Sequence, residues 1–191
     1  MTAPDLCHPI ELVLLSGGID SAVMLFRARS PIALFVNYGQ RAHREELNAA
    51  SALCAARGCQ LLVSAASMDT GRMDDAPGIT GPRVVAGRNL ILVSLGVNAA
   101  ASVGASVVWL GAQAGDAADY PDCRASFIAP LDRLSRATYG VGVEAPLVMS
   151  SRANLAAEAR HRVPPGLTWS CYAPAAPGVP CGACNSCKQE R

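Results

Sequence analysis

The sequence predicts an α/β fold with a doubly wound, mostly parallel sheet, followed by a small cysteine-rich knot at the C-terminus. Short apolar runs alternate along the chain with longer segments of helical pattern. These runs lack the polar alternation of a sheet with one solvated face, which is typical of strands covered by helices on both faces. In such a sheet, ligands bind beyond the carboxyl ends of the strands. At 191 residues the chain suits one domain with a sizeable core.

The predicted elements alternate between strands and helices. They are strand Ile10–Leu15, helix Ser21–Arg29, strand Ile32–Asn37, helix Arg44–Arg57, strand Gln60–Ser64, helix Asn89–Val103 and strand Ser106–Leu110. A further helix is expected around Ala153–His161, because Pro164 and Pro165 end the helical pattern there. The stretch from Asn89 to Gly115 is uncharged, but it divides into a buried helix and a buried strand, so we predict no membrane span.

Two segments fall outside this alternation. Ala65–Gly87 contains several Gly and Pro residues together with three acidic residues, and it predicts a lid or mobile loop. The tail from Trp169 onward is rich in Pro, Ala, Gly and Cys, so it cannot build a core of its own and needs a metal to hold it. We therefore predict a main domain over residues 1–165 and a metal-binding extension over residues 166–191.

A candidate phosphate loop follows the first strand, with the sequence Ser16-Gly17-Gly18-Ile19-Asp20-Ser21. The paired glycines allow backbone conformations in which successive N–H groups converge on an anion. The helix N-terminus beyond them adds partial positive charge. Ser16 and Ser21 can donate hydroxyl hydrogen bonds, while Asp20 can hold Mg²⁺ or cap the helix. The loop lacks the Gly-Lys-Ser/Thr of a Walker A loop.

Four cysteines at the C-terminus have the spacing of a tetrahedral metal site: Cys171, Cys181, Cys184 and Cys187. Four thiolates with no spare position are typical of a closed structural zinc site. Two alternatives stay open from the residues alone, namely two disulfides or idle thiols, and an iron–sulfur cluster. No apolar leader is evident at the N-terminus, so we expect a reducing, cytoplasmic location.

The net charge of +1 gives no electrostatic reason to expect nucleic acid or an anionic membrane as a partner. Lys188 is the only lysine, so no lysine of the main domain can serve as a phosphate ligand.

The six-residue loop resembles that of the N-type ATP pyrophosphatases, which cleave ATP between the α- and β-phosphates. Three further strings lie between the loop and the cysteines: Tyr38-Gly39-Gln40-Arg41, Gly87-Arg88-Asn89 and Tyr120-Pro121-Asp122-Cys123-Arg124. Taken together and in this order, they resemble the 7-cyano-7-deazaguanine synthases, the QueC family. The resemblance runs from the first strand to the last cysteine.

This resemblance implies an ATP-dependent C–N ligase that converts 7-carboxy-7-deazaguanine and ammonia to the nitrile, with release of AMP and pyrophosphate. The implied cofactors are ATP, Mg²⁺ and Zn²⁺, and a homodimer is implied as well. The implied nucleotide-binding residues are Ser16, Gly17, Gly18, Ile19, Asp20, Ser21, Arg88 and Asn89. The resemblance implies catalytic roles for Ser16, Asp20, Ser21, Arg88 and Arg152. The implied substrate residues are Tyr38, Gln40, Arg41, Tyr120, Asp122 and Arg124. For Asp122 a helix cap, and for Arg124 a salt bridge, remain as structural alternatives.

The chain departs from the family pattern at several positions. After Pro146-Leu147 the family typically has Lys-x-Glu, whereas this chain has Arg152-Ala153-Asn154, and the Ala65–Gly87 loop is short. These departures leave open a specialised paralogue of a bacterial antiphage defence system. Such a paralogue would pass the adenylated 7-deazaguanine acyl group to a protein amine and stop at the amide. A second alternative is a non-catalytic nucleotide-binding zinc module.

Overall fold

The computed structural model describes residues 8–68 and 85–189. In these ranges the strands are β1 Glu11–Leu14, β2 Pro31–Asn37, β3 Gln60–Ala65, β4 Val107–Trp109 and β5 Gly142–Glu144. The helices are α1 Ile19–Arg27, α2 His43–Arg57, α3 Arg88–Val103, α4 Asp116–Asp119, α5 Ala125–Tyr139, α6 Arg152–Arg162 and α7 Asn185–Gln189. A 3₁₀ turn, Pro121–Cys123, joins α4 to α5. No helix in the described ranges is long and apolar enough to cross a membrane.

The five strands form one parallel sheet in the order β3-β2-β1-β4-β5. Alternate residues of β1 and β2 enter two separate cores. Val13 and Phe35 pack with α1, α2 and α6 on one face, whereas Leu12 and Leu34 pack with α3 and α5 on the other. Both faces are therefore covered, which explains the nearly continuous apolar runs. The predicted doubly wound α/β fold is confirmed.

The strand order reverses between β1 and β4, which are neighbours in the sheet. The loops that leave the carboxyl ends of these two strands therefore start side by side, at the switch point where ligands bind in such sheets. On the face of the sheet that α3 covers, Gly96 lets this helix approach β4 closely, since a Cβ there would lie 2.8 Å from Val108 Cγ1. Close packing of α3 holds its first residues at the same edge of the sheet.

The predicted elements differ from the observed ones mainly at their ends. Helix α1 begins at Ile19 rather than Ser21, so Asp20 and Ser21 lie in its first turn. The sequence analysis did not predict α5 and β5. Pro130 interrupts the helical pattern of α5, and β5 has only three residues, too few for a recognisable period. Most of the predicted lid, residues 69–84, lies outside the described residues.

The C-terminal segment returns to the main domain next to the candidate phosphate loop. The Trp169 N–H donates to the carbonyl oxygen of Gly17 at 2.9 Å. Further along, the Gly178 N–H donates to Glu45 Oε1 on α2 at 3.3 Å. The cysteine-rich extension is therefore connected to the loop that precedes α1, although the boundary predicted at residue 165 stays a prediction.

Candidate active site

The Ser16–Ser21 loop leaves β1 at the switch point and turns directly into α1. Its two serine hydroxyls lie 3.2 Å apart, and Ser21 Oγ donates to the carbonyl oxygen of Gly18 at 3.0 Å. The Gly18 N–H lies 3.4 Å from Ser16 Oγ. The hydroxyl groups and the backbone amide thus face one small region at the start of the helix. Ser16 is exposed at this point, whereas Ser21 is buried beneath it.

Gly17 is required at its position for two reasons. Its φ of +85° lies in the left-handed region that side chains disfavour. In addition, a Cβ there would lie 2.7 Å from the Glu46 carbonyl oxygen and 3.0 Å from Ala49 Cβ, both on α2. The loop therefore packs directly on the backbone of α2, and the Trp169 N–H holds it from the other side.

The N-terminus of α1 is available for an anion. Gly18 is the N-cap, and no side chain among the described residues caps the helix there. The first-turn N–H groups have no partner within the helix, and the helix dipole adds partial positive charge at this end. Because the loop donors lie at the same end, the geometry fits a phosphate or pyrophosphate group.

Acidic groups gather beside the loop. Asp20 lies in the first turn of α1, and Asp116 begins α4, just beyond β4. The two are joined through Gln113, whose backbone N–H donates to Asp116 Oδ2 at 3.0 Å and whose Nε2 lies 3.5 Å from Asp20 Oδ2. Burial and the charge of Asp116 raise the pKa of Asp20, while Arg152 opposes the shift. Burial also raises the pKa of Asp116.

Arg88 is the centre of a second cluster, which lies at the start of α3. Burial alone would lower its pKa, but the hydroxyl of Tyr38 and the carboxylate of Asp122 outweigh burial and raise the pKa. Burial raises the pKa of Tyr38, and that of Tyr120, which also lies within electrostatic range of Arg88. The guanidinium group therefore stays charged among aromatic rings, where it can bind an anionic or planar ligand.

Asn89 and Asp122 tie α3 to the 3₁₀ turn. The Asn89 N–H lies 3.4 Å from Asp122 Oδ2, and Asn89 Nδ2 lies 3.4 Å from the Asp122 carbonyl oxygen. Asp122 thus contacts the first turn of α3, as a helix cap does. Asn89 Nδ2 also lies 3.6 Å from Cys123 Sγ, and burial raises the pKa of this thiol to about 11. Cys123 is therefore protonated at neutral pH.

Some predicted substrate residues are engaged elsewhere. Gln40 is buried, and its amide bonds the Tyr38 N–H, the Val36 carbonyl oxygen and Glu46 Oε2 at 2.8–3.1 Å. It stabilises the turn that presents Tyr38. Arg124 is exposed and donates to the Ala117 carbonyl oxygen at 2.8 Å, and Arg41 is exposed as well. Among the described residues, no hydrogen bond or ion pair joins either arginine to the Arg88 cluster.

The four predicted metal-ligating cysteines come together. The sulfur atoms of Cys171, Cys181, Cys184 and Cys187 all lie within 4.8 Å of one another. Zinc–sulfur bonds of about 2.3 Å in a tetrahedron require sulfurs about 3.8 Å apart, so the cluster has the size of a one-ion site. Backbone N–H groups of Ala183 and Cys184 lower the pKa of Cys181 to about 6, which favours the thiolate needed for metal binding.

Sequence reasoning missed three residues of this region. Asp116 and Gln113 follow β4, and Tyr172 follows the first cysteine of the extension. Tyr172 lies within electrostatic range of Tyr38, Arg88 and Tyr120. Asp116 could have been found from the position after β4, because the loops after neighbouring parallel strands meet at one edge. Nothing in the sequence pattern indicates the position of Tyr172.

The class of protein is given by the fold. The chain resembles the U34-tRNA thiolase NcsA from Methanococcus maripaludis, solved with its [4Fe-4S] cluster, with a TM-score of 0.58 and 17% identity over 80% of this chain and 56% of that one. At this identity the likeness shows the fold alone, which is an adenine nucleotide alpha hydrolase-like fold.

The family is given by the sequence. The family model described as "Queuosine biosynthesis protein QueC" matches residues 10–191. A 7-cyano-7-deazaguanine synthase of Novosphingobium aromaticivorans is 37% identical over 99% of this chain and 90% of its own length. One of Rhizorhabdus wittichii is 38% identical over 93% of this chain and 87% of its own length. The chain therefore belongs to the QueC family.

Proposed function

We propose that this protein is a 7-cyano-7-deazaguanine synthase, an ATP-dependent ligase that converts the carboxylate of 7-carboxy-7-deazaguanine to a nitrile. The observation that carries the proposal is the Ser16–Ser21 loop at the switch point, in a chain that matches the QueC family along almost its whole length. Relatives named as this synthase at 37–38% identity support the same activity.

The reaction needs a carboxylate to become an electrophile. A carboxylate oxygen attacks the α-phosphorus of ATP, the α–β phosphoanhydride bond breaks, and pyrophosphate leaves. Ammonia then attacks the acyl carbon and loses a proton, and the bond to AMP breaks to leave the amide. In a second round the amide oxygen attacks the α-phosphorus of another ATP, the α–β phosphoanhydride bond breaks, and pyrophosphate leaves again. Loss of AMP and of the two N–H protons then forms the nitrile.

The loop contributes positioning and charge stabilisation to these steps. Backbone N–H groups at Gly18 and the first turn of α1, with the hydroxyls of Ser16 and Ser21, would bind the departing pyrophosphate. Asp20 would hold Mg²⁺, which neutralises phosphate charge when it is bound. Arg152 acts electrostatically on Asp20 and would supply positive charge from α6.

The Arg88 cluster would hold the 7-carboxy-7-deazaguanine. Tyr38, Tyr120 and Tyr172 supply aromatic surface for a planar base, and Asp122 carries acceptor oxygens that suit an amidine edge. Arg88 would contact the acyl phosphate, which lies between the base and the nucleotide. Arg41 and Arg124 would take part in substrate binding by the family resemblance alone. By the same resemblance, Asn89 would take part in nucleotide binding.

The four cysteines would hold structural Zn²⁺. Four thiolate donors at one-ion spacing favour zinc, and they leave no position for a substrate. The zinc extension would stabilise the loop through the Trp169 N–H and would place Tyr172 beside Arg88. A homodimer and a cytoplasmic location remain part of the proposal by family likeness alone.

The proposal is tested by mass spectrometry of a reaction with purified zinc-loaded protein, Mg-ATP, 7-carboxy-7-deazaguanine and ammonium, with AMP measured in parallel. We expect the nitrile and two AMP per product. Ser16→Ala should lower turnover by about tenfold or more, because it removes one donor of the loop. The matched control is Ser51→Ala on the exposed face of α2, which should leave turnover unchanged.

Other outcomes would select between the remaining functions. AMP formation that stops at the amide, or that needs a protein amine, would identify an acyl-transferring paralogue. The replacement of Lys-x-Glu by Arg152-Ala153-Asn154 motivates this alternative. Absence of AMP under all these conditions would contradict an enzymatic role and favour a nucleotide-binding zinc module.

A further inference from the structure

The turn between α2 and β3 holds two cysteines that the proposed function does not use, Cys54 and Cys59. Cys54 lies near the end of α2, and Cys59 immediately precedes β3. Gly58 between them has a φ of +70°, the left-handed conformation that ends many helices. The Cys59 N–H donates to the Cys54 carbonyl oxygen at 3.1 Å, and the Gly58 N–H donates to that of Ala55 at 3.3 Å. These two hydrogen bonds define a Schellman motif.

The Schellman motif brings the two cysteine side chains together. In this motif the residue after the left-handed glycine commonly packs against the residue five positions before it, which here are Cys59 and Cys54. Both belong to the same core, Cys54 as a buried member and Cys59 at its margin. The 3.1 Å hydrogen bond also limits the distance between their Cα atoms to about 7 Å at most. Disulfides usually join Cα atoms about 4.4–6.8 Å apart, so the backbone can accommodate one here.

The two thiols differ in exposure and in reactivity. Cys54 is 3% exposed, whereas Cys59 is partly exposed. The hydrogen bond from the Cys54 thiol lowers the pKa of Cys59 against the effect of burial, and the charge of Arg57 lowers it further. The same contact, together with burial, raises the pKa of Cys54. Because the thiolate is the nucleophile in disulfide exchange, Cys59 is the thiol that reacts first, and Cys54 lies beside it to complete the bond.

We propose that Cys54 and Cys59 form a reversible disulfide by exchange with a small-molecule disulfide of the glutathione class. The Cys59 thiolate attacks one sulfur of that disulfide, its S–S bond breaks, and one glutathione leaves as a thiolate. The Cys54 thiol then loses its proton and attacks the Cys59 sulfur, and the second glutathione leaves. Two protein thiols are oxidised and one disulfide is reduced to two thiols, so the electrons balance without another reactant.

The disulfide would fasten the end of α2 to the start of β3. Helix α2 also supports the phosphate loop, since the Glu46 carbonyl oxygen and Ala49 Cβ pack against Gly17. Cys54 lies more than one helical turn beyond Ala49, so the cross-link would stabilise this helix without entering the candidate active site. Disulfides in proteins that are kept under reducing conditions are usually transient, so we expect this one to open again in excess thiol.

Trypsin separates the two cysteines, because it cleaves after Arg57, which lies between them. Cys54 falls in the peptide 45–57, and Cys59 falls in the peptide 58–72. The test incubates the folded, zinc-loaded full chain with oxidised glutathione and blocks the remaining thiols with N-ethylmaleimide. The tryptic peptides are then analysed by mass spectrometry without reduction. We expect the two peptides joined by a disulfide that dithiothreitol opens, and an intact protein, measured before blocking, that is lighter by two hydrogen atoms.

Cysteine variants assign the two roles. Cys54→Ala should retain glutathione on Cys59 as a mixed disulfide, because the second attacking thiol is missing. Cys59→Ala should leave Cys54 unmodified, because that thiol is buried. Cys123→Ala is the matched control, since it removes a buried thiol from the 3₁₀ turn and should form the cross-link like the wild type. Zinc content and the circular dichroism spectrum of each variant verify that it is folded.

The inference has clear contrary outcomes. Absence of the linked peptides from the folded wild type would overturn it, whether Cys59 stays free or keeps glutathione. Linked peptides that form only in urea would overturn it as well, and so would a disulfide between two copies of the chain, seen as a doubled intact mass. These outcomes are independent of the synthase activity, because neither cysteine has a role in the proposed reaction.

Discussion

The contact between the phosphate loop and α2 can be tested by Gly17→Ala. The left-handed φ of +85° would destabilise alanine by about 1–2 kcal/mol. The added Cβ would also lie 2.7 Å from the Glu46 carbonyl oxygen, a backbone atom that moves only with α2. Overpacking of this kind costs about 1–3 kcal/mol. Together the two effects should lower the free energy of unfolding by about 3 kcal/mol, and the Tm by about 6–12 °C in a chain of this size.

Gly58→Ala is the matched control for the backbone effect. Gly58 ends α2 with a φ of +70°, and a Cβ there would meet no atom within 4 Å. Gly58→Ala should therefore lower the free energy of unfolding only through the left-handed backbone conformation, by about 1–2 kcal/mol. Urea unfolding of both variants isolates the steric contribution, and calorimetric titration with ATP reports whether the loop is displaced. Equal destabilisation of the two variants would refute the close contact between the loop and α2.

Three further predictions concern the zinc site, the Arg88 cluster and an ion pair. Cys184→Ser should remove zinc, measured by metal analysis, and weaken ATP binding by calorimetry, because the extension no longer holds Gly17. Full zinc loss with unchanged ATP affinity would contradict that coupling. Arg88→Lys should lower kcat/KM by about tenfold or more, since an ammonium lacks the planar fork of a guanidinium; wild-type kinetics would exclude Arg88 from the site. Glu158 accepts a hydrogen bond from Arg27 Nε at 2.8 Å, and this contact outweighs the opposing effect of burial and holds the pKa of Glu158 below its usual range. Glu158→Gln should therefore cost about 0.5–1 kcal/mol at pH 7 in urea unfolding, and the difference should vanish as the pH falls through the lowered pKa. A cost that persists at pH 2 would assign the effect to packing.

The architecture could be read from the sequence where the pattern was strong. The apolar runs of β1 and β2 and the long helical segments of α2 and α3 were predicted with small errors at their ends. Two elements after α4, the helix α5 and the strand β5, were missed for local reasons. Pro130 breaks the pattern of α5, while β5 is a strand only because β4 lies beside it.

The candidate site likewise contains parts that the sequence predicted and parts that it did not. The Ser16–Ser21 loop and the four cysteines are short local motifs, so their chemistry follows from spacing alone. Gln40 and Arg124 matched a family string, yet the structure engages Gln40 in a buried turn and Arg124 with a backbone carbonyl. Sequence spacing cannot distinguish a side chain that faces a ligand from one that supports a turn.

What the sequence determined by itself was therefore the chemistry of contiguous residues: a donor-rich turn before a helix, four thiolates at zinc spacing, and a parallel α/β order. The tertiary structure alone decided which distant residues share a site. Asp116 lies far from Asp20 in the chain and reaches it because β1 and β4 are neighbours in the sheet. Tyr172 approaches Arg88 because the extension folds back onto the loop. Such contacts depend on the order of the strands in the sheet and on the path of the C-terminal extension, which no local sequence pattern encodes.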